Sequence, residues 1–300
     1  MPGKFAKIRN MIEEVFSINA SDGTRLDGII WIPEVEFKAG VCLVHGIGEH
    51  CGRYRHVAEA LCKRGIGLLG MDLRGHGKSQ GSRGHIGSFD KLMEDIRRSL
   101  SCVGPSFGRV PAFLYGHSMG GNIVANFLAR MKPEIEGAII TSPWLKLKNP
   151  PSGFLVALGR FMNSTWPSFR QSVSFNTSDL CRDKNIVKEY ENDPLVHNKV
   201  TARTGISLID SAAWVLEHAK EIKVPLLMIH GSADNICDIE GTKEFAAKLK
   251  VDHELKIWDG MFHETHNEIG KAEVIEFLAN WVEARAAATA KPKITEAHSH

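Results

Sequence analysis

Short apolar runs alternate with amphipathic segments along most of this chain, and this alternation restricts its fold more than any other feature. The runs lie at residues 40–45, 65–73, 111–115, 137–141, 224–230 and 253–258. Their length and near-continuous apolar character are typical of strands buried in a parallel sheet. The segments between them place apolar residues at helical intervals, at residues 54–64, 89–103, 119–131 and 274–282. This order predicts right-handed crossovers and a mostly parallel central sheet with helices on both faces.

Two stretches depart from this alternation. Residues 14–33 contain two strand-like runs around a Ser-Asp-Gly-Thr turn, which predicts an antiparallel pair. Residues 146–223 contain no clear buried strand and are apolar and aromatic near their start. An insertion of this length between core strands is usually functional, so we interpret it as a helical cap. The predicted organisation is a core in two parts (1–145 and 224–288), a cap (146–223) and a flexible tail (289–300).

Composition narrows the class of protein. The chain has 300 residues, of which 43% are hydrophobic and 24% charged, and its formal net charge is +2. This charge does not favour nucleic acid as a partner, and no apolar run approaches the roughly 18 residues of a membrane span. The basic N-terminus lacks the apolar region of a secretory signal, and the 6 cysteines are scattered. These features predict a soluble cytoplasmic protein with free thiols; peripheral contact with membranes or lipid droplets is compatible with them.

The clearest chemical signal is Gly116-His117-Ser118-Met119-Gly120, which fits the pattern G-x-S-x-G between a predicted strand and a predicted helix. The two glycines allow a tight turn without Cβ clashes, and such a turn lifts a serine hydroxyl out of the sheet. The helix that follows points backbone N–H groups at the same place. We therefore predict that Ser118 is a nucleophile, against the alternative of a glycine-rich turn with an incidental serine.

A serine nucleophile needs a base, and the base needs an acid that orients it. In sites of this kind the partners follow the serine in the order acid, histidine. Asp234 lies in the loop after the fifth apolar run, with Asp238 as its rival, and His263 is the first histidine after the last run. His266 follows three residues later. The sequence predicts Asp234 as the acid and His263 as the base.

Negative charge that develops on an attacked carbonyl oxygen needs preorganised N–H donors. One is predicted from Met119, directly after the nucleophile, and the other from Ile47, in the glycine-containing loop HGIGEH. His45, His117 and His230 border glycines at strand ends, and we interpret them as structural. No HExxH pair or cysteine spacing indicates a metal, and the proposed chemistry requires no cofactor.

The motifs together resemble a known family. HGIGEHCGRY, DLRGHGKSQG, GHSMGG, NDPLVH, HGSADNI and GMFHE are similar to the monoacylglycerol lipase and lysophospholipase branch of the α/β-hydrolase superfamily. The similarity extends over roughly residues 23–283 and includes a cap insertion in the expected place. It implies an α/β-hydrolase fold and hydrolysis of monoacylglycerols to fatty acid and glycerol through an acyl-enzyme.

The resemblance implies the same catalytic residues as the motifs themselves, namely Ser118, Asp234 and His263, with Ile47 and Met119 as oxyanion donors. One position departs from the family, which often has a smaller residue where this chain has Ile47. Because only the N–H of Ile47 is used, this difference bears on the size of the head group rather than on catalysis.

The resemblance also implies a glycerol-binding end made of Glu49, Arg53, His117, Tyr190 and His266. For Glu49 and Arg53 the alternative is a local ion pair that fixes the oxyanion loop. The apolar cap favours a lipid ester substrate and contact with a membrane surface, although a cap packed on its own core fits the pattern equally well. Lysophospholipase, small-ester carboxylesterase or thioesterase activity, and a non-catalytic binding function are the other hypotheses.

Overall fold

The structure is a computed structural model, and it describes residues 5–8, 11–173 and 175–290. Parts of the predicted N-terminal stretch (1–4 and 9–10) and of the predicted tail (291–300) lie outside the described residues. The strands are β1 (Phe5–Ile8), β2 (Met11–Asn19), β3 (Arg25–Pro33), β4 (Ala39–Val44), β5 (Ile66–Met71), β6 (Ala112–His117), β7 (Gly137–Thr141), β8 (Arg170–Ser172), β9 (Lys199–Thr201), β10 (Leu226–Gly231) and β11 (His253–Trp258).

A 9-stranded sheet in the order β1-β2-β3-β5-β4-β6-β7-β10-β11 forms the centre of the described part of the chain. The pairs β1–β2, β2–β3 and β3–β5 are antiparallel. The pairs β5–β4, β4–β6, β6–β7, β7–β10 and β10–β11 are parallel. The predicted mostly parallel sheet is confirmed, and so is the antiparallel pair at its start. The carboxyl ends of β4, β6, β7, β10 and β11 therefore meet along one edge, where sites in such sheets form.

Helices cover both faces of this sheet, as predicted. They are α1 (Arg55–Cys62), α2 (Phe89–Ser101), α3 (Val103–Phe107), α4 (Met119–Met131), α5 (Gly153–Thr165), α6 (Lys184–Asn192), α7 (Ala202–His218), α8 (Ile239–Lys248) and α9 (Lys271–Ala290). Val41 and Leu43 of β4 point into a core shared with α1 and α9. Cys42 and Val44 point into the opposite core, which α2, α4, α7 and α8 complete. This is the two-residue alternation of a strand buried on both sides.

Several details of the elements differ from the predictions. The helix predicted at 89–103 ends at Ser101, and a separate helix, α3, begins at Val103. Pro105 has no N–H to continue α2, but a proline is tolerated in the first turn of a helix such as α3. The run at 253–258 forms a strand, yet β11 is partly exposed because it is the last strand of the sheet. Helix α9 extends to Ala290, two residues into the predicted tail.

The segment between β7 and β10 holds α5, α6, α7 and the two-stranded ribbon of β8 and β9. Its last helix, α7, packs on α4 in the core. The side-chain amide of Asn122 donates to Leu208 O at 3.3 Å, and that of Asn126 donates to Ser211 O at 3.1 Å. Helix α5 has no buried residue. No helix within the described ranges is long and apolar enough to cross a membrane.

Candidate active site

Ser118 stands in a sharp turn between β6 and α4. Its backbone has φ 54° and ψ −117°, a conformation that costs free energy for a residue with a side chain. A Cβ on Gly116 would lie 2.4 Å from Gly120 O, and one on Gly120 would lie 2.0 Å from Val44 O. Both positions therefore require glycine. The turn is fixed further by the Ser118 N–H, which donates to Thr141 O at 2.9 Å.

Asp234 and His263 come together from the loops after β10 and β11. His263 Nδ1 and Asp234 Oδ2 are 2.8 Å apart. The other oxygen, Oδ1, accepts the N–H groups of Ile236 at 2.8 Å and Cys237 at 2.9 Å. His230 Nε2 also lies 3.1 Å from Asp234 Oδ2. Burial alone would raise the pKa of Asp234, but the two histidines hold it well below its usual range.

The protonation of His263 follows from this arrangement. Asp234 accepts only, so Nδ1 of His263 carries the proton and Nε2 has a free lone pair for a second partner. Burial alone would lower the pKa of His263, but the Asp234 carboxylate raises it above its ordinary value. A histidine with these properties can accept a proton near neutral pH and is stabilised when it becomes charged.

Several contacts link Ser118 to this pair. The Cys237 thiol is close enough to Ser118 for that side chain to lower the thiol's pKa, against the larger effect of burial, which raises it. The N–H of Cys237 donates to Asp234. His117, the residue before Ser118, has its ring 4.9 Å from that of His263, centroid to centroid. The structure therefore brings the three predicted triad residues to the same edge of the sheet.

The loop with Ile47 lies against the serine. A Cβ on Gly46 would be 3.4 Å from Ser118 Cβ, and the Gly46 N–H donates to Glu49 Oε1 at 2.6 Å. The side chain of Ile47 packs on the core. Met119 is the first residue of α4, where backbone N–H groups are not used within the helix. The two predicted oxyanion donors thus flank Ser118.

Glu49 and Arg53 contact each other, as in the alternative considered for them. Arg53 Nη1 donates to Glu49 Oε2 at 2.7 Å, and its guanidinium lies 4.7 Å from the centre of the Tyr190 ring. Glu49 also accepts the hydroxyl of Tyr54 at 2.8 Å. Together with its bond to the Gly46 N–H, this ion pair fixes the oxyanion loop.

His266 differs from the other buried histidines near the site. It stacks on Tyr54 at 4.8 Å and meets the ring of His117 at 4.7 Å. Neither of its ring nitrogens has a hydrogen-bond partner, and burial lowers its pKa to about 3. His117 Nδ1 is 3.0 Å from Thr141 Oγ1. Buried polar atoms without partners in a site are suited to bind polar groups of a ligand.

The rival candidates have structural contacts. Asp238 caps α8 by accepting the N–H of Glu240 at 3.2 Å. His45 donates from Nδ1 to Gly46 O at 2.7 Å and accepts the Leu73 N–H on Nε2 at 2.9 Å. The sequence MDLRGHGKS therefore shapes the turn beside the oxyanion loop. His230 was predicted to be structural only, but it also contacts the carboxylate of Asp234.

Sequence reasoning did not find Glu264. Its carboxylate makes two bonds of 2.7 Å with Arg53 and accepts the Asn267 side-chain amide at 2.7 Å. Its position directly after His263 was a signal that could have suggested a place in the site. Its partner Arg53, however, is 211 residues away along the chain, and that pairing needs the fold.

Comparisons with known proteins show the family to which the chain belongs. A sequence profile of the family described as "Serine aminopeptidase, S33" matches residues 35–270. Monoglyceride lipase of Rattus norvegicus is 33% identical over 276 residues, which cover 90% of each chain. The chain belongs to the monoacylglycerol lipase branch of the α/β-hydrolases. Members of this branch are carboxylic ester hydrolases, and the chain is one of these enzymes.

A solved structure extends this result to the fold. The crystal structure of Paleococcus ferrophilus monoacylglycerol lipase aligns with a TM-score of 0.77 and 30% identity, over 92% of this chain and 99% of that one. An uncharacterized abhydrolase domain-containing protein of Dictyostelium discoideum is 33% identical over 278 residues, but this chain spans 29% of that protein's length. The α/β-hydrolase fold predicted from the motifs is confirmed.

Proposed function

We propose that the protein is a serine hydrolase that cleaves monoacylglycerols to fatty acid and glycerol, with Ser118, His263 and Asp234 as its triad. The observation that carries the proposal is the 2.8 Å contact between His263 Nδ1 and Asp234 Oδ2, at the sheet edge that also bears Ser118. The monoglyceride lipases named among its relatives support the choice of substrate.

In the proposed reaction His263 takes the proton of Ser118 as the hydroxyl oxygen attacks the acyl carbonyl carbon. Asp234 keeps the imidazole in the tautomer with Nδ1 protonated and stabilises its charged form. His263 then gives the proton to the leaving glycerol oxygen, and an acyl-enzyme remains. Water repeats the sequence and releases the fatty acid. The Ile47 and Met119 N–H groups bind the oxyanion; loss of one such donor costs about 3–4 kcal/mol.

For the glycerol end we propose the five residues implied by the resemblance, in two roles. His117 and His266 face the leaving group, and the unpartnered nitrogens of His266 support this role because glycerol hydroxyls can bond to them. Glu49, Arg53 and Tyr190 form the wall of this end, with the ion pair holding the oxyanion loop.

We propose that residues 146–223 act as a cap and that α5 contacts a membrane or lipid-droplet surface. Phe154 is 77% exposed, Phe161 62% and Trp166 59%. A cluster of exposed aromatic side chains of this kind marks an interaction surface, and amphipathic helices insert such faces at membrane interfaces. Peripheral attachment of a cytoplasmic enzyme would bring the site to its lipid substrate.

The proposal is tested by fatty-acid release from a long-chain monoacylglycerol and from lysophosphatidylcholine with the same acyl chain. We expect wild type and the exposed control Ser101→Ala to hydrolyse the monoacylglycerol, and Ser118→Ala to fall nearly to background because the nucleophile is lost. Equal or faster release from lysophosphatidylcholine would reassign the enzyme as a lysophospholipase. Full activity of Ser118→Ala would refute the triad.

A further inference from the structure

Glu264 is a buried carboxylate whose hydrogen-bonding capacity is filled by cationic and amide donors. It is 2% exposed. Arg53 Nη1 and Nη2 donate to its two oxygens, each at 2.7 Å, and the Asn267 amide donates to Oε2 at 2.7 Å. Every described partner is a donor, so the carboxylate is ionised. The bidentate pairing is the geometry that an arginine otherwise offers to a phosphate.

Glu49 adds a second carboxylate to the same cluster. It accepts the N–H of Gly46, the hydroxyl of Tyr54 and Arg53 Nη1. Burial and the nearby Glu264 raise the pKa of Glu49, and Arg53 acts against them. Arg53 is the one cation that contacts either carboxylate among the described residues. One arginine thus serves two carboxylates, and the charge of Glu264 is buried where water screens it weakly.

This cluster lies next to the reacting atoms. Glu264 directly follows His263, and Glu49 bonds to the N–H of Gly46, whose Cβ position is 3.4 Å from Ser118 Cβ. Glu264 also acts electrostatically on the rings of His117 and His266. The carboxylate of Glu264 is thus beside the proposed glycerol end.

We propose that Glu264 is a specificity-determining residue: by occupying the fork of Arg53 and placing its own buried carboxylate at the glycerol end, it excludes esters with anionic head groups. The inference rests on the proposed function, because it concerns the head-group side of the same site. Without Glu264, Arg53 would have two donors free to bind a phosphate, and the like-charge repulsion that such a group meets would be smaller.

The test uses two water-soluble esters that differ only in head-group charge, 1-butyrylglycerol and 1-butyrylglycerol 3-phosphate. We expect wild type to have a kcat/KM at least about a hundredfold higher for the neutral ester. Glu264→Gln keeps the shape of the side chain and removes its charge, so this ratio should fall at least about tenfold, mainly through a lower KM for the phosphate ester. The matched control Glu217→Gln removes an exposed charge elsewhere and should leave the ratio unchanged.

The outcomes separate the inference from the proposed function. Hydrolysis of neither ester, nor of long-chain monoacylglycerol, would overturn the proposed function. Hydrolysis of the neutral ester with a ratio near one in wild type, or with a ratio that Glu264→Gln leaves unchanged, would overturn only the role of Glu264. Glu264→Asp keeps the charge and should keep the preference, which separates charge from packing.

A measurement on wild type covers the case in which Glu264→Gln does not fold. Glycerol 3-phosphate and glycerol are compared as inhibitors of 1-butyrylglycerol hydrolysis at equal ionic strength. The inference predicts that the phosphate inhibits at a concentration at least about tenfold higher than glycerol does. Stronger inhibition by the phosphate would mean that Arg53 is available to anions and would refute the role of Glu264.

Discussion

Asp234, the proposed acid of the triad, accepts more hydrogen bonds than that role requires. Two backbone N–H groups bind Oδ1, and two histidines lie within 3.1 Å of Oδ2. The backbone bonds fix the carboxylate on its loop, and His230 from β10 fixes it against the sheet. His263 therefore packs against a carboxylate that cannot rotate away, which would preorganise it for the proposed proton transfer.

Replacement of this acid should lower the rate and shift its pH dependence. His263 must be neutral to accept a proton, so kcat/KM should fall as the pH drops through the pKa of His263, which Asp234 raises above its ordinary value. Asp234→Asn should reduce kcat on the order of 10⁴-fold and move the acid limb of the residual activity to lower pH. Rates from pH 5 to 9 check both effects.

Asp238→Asn is the matched control, because asparagine caps a helix as well as aspartate does and Asp238 caps α8. We expect this variant to stay within about twofold of wild type. The assignment of the acid would be wrong if Asp238→Asn lost activity and Asp234→Asn kept it.

The residues that sequence patterns identified share a local signal. Ser118 stands in a turn motif, and Asp234 and His263 follow strand ends that the apolar runs define. The pairing of Glu264 with Arg53 and the contact of His230 with Asp234 had no such signal. Their roles depend on partners brought close by tertiary packing, as Arg53 is to Glu264. A buried ion pair between distant positions has no periodicity or spacing in sequence.

Secondary structure was predictable where burial is continuous. Central strands such as β7, at Gly137–Thr141, and the helix α4 have the predicted bounds, because both lie between packed layers and their apolar pattern is complete. The edge strand β11 was expected to be buried and is not, since a run of residues does not reveal its place in the sheet. The ribbon of β8 and β9 is too short and polar to give a strand pattern.

The prediction on membrane contact concerns helix α5. Phe154 and Phe161 each expose more than 60% of their surface, and burial of one such side chain is worth about 1.5–3 kcal/mol. The double substitution Phe154→Glu and Phe161→Glu should therefore reduce the partition coefficient onto phosphatidylcholine vesicles more than about a hundredfold. Hydrolysis of soluble 1-butyrylglycerol should change little, because a soluble ester reaches the site without binding of the enzyme to a vesicle.

The matched control for this experiment is Val35→Glu. Val35 is 49% exposed and precedes β4, at the sheet edge opposite to the one with Ser118. Vesicle sedimentation should give wild-type binding for this variant. Equal binding by the double variant and wild type would exclude α5 as the contact surface.

Buried and half-buried histidines make the free energy of unfolding of the protein depend on pH. Burial lowers the pKa of the following histidines: His45, His56, His76, His85, His117, His197 and His266. For a base whose pKa is lower in the folded state, the unfolded chain binds more protons below pH 6.5. The free energy of unfolding must therefore fall as the pH falls through that value.

The size of the effect follows from His45 and His266, whose pKa values are about 3. Each contributes about 1.4 kcal/mol per pH unit below 6.5, so these two alone should cost about 3 kcal/mol between pH 7.5 and 5.5. The raised pKa of His263 acts in the opposite direction. Asp234 and Glu264 lose their stabilisation only at lower pH, as they protonate through their depressed pKa values.

Urea unfolding at a series of pH values measures this dependence directly. His45→Gln should reduce the slope of the unfolding free energy against pH by the contribution of one histidine. The variant should still fold, because an amide can donate to Gly46 O and accept from the Leu73 N–H as the imidazole does. His253→Gln, at an exposed position, should leave the slope unchanged. A free energy of unfolding that stays constant from pH 7.5 to 5.5 would mean that the buried histidines are hydrated or charged in the folded protein. The assignment of neutral, hydrogen-bonded side chains to the histidines around the loop with Ile47 would then be wrong.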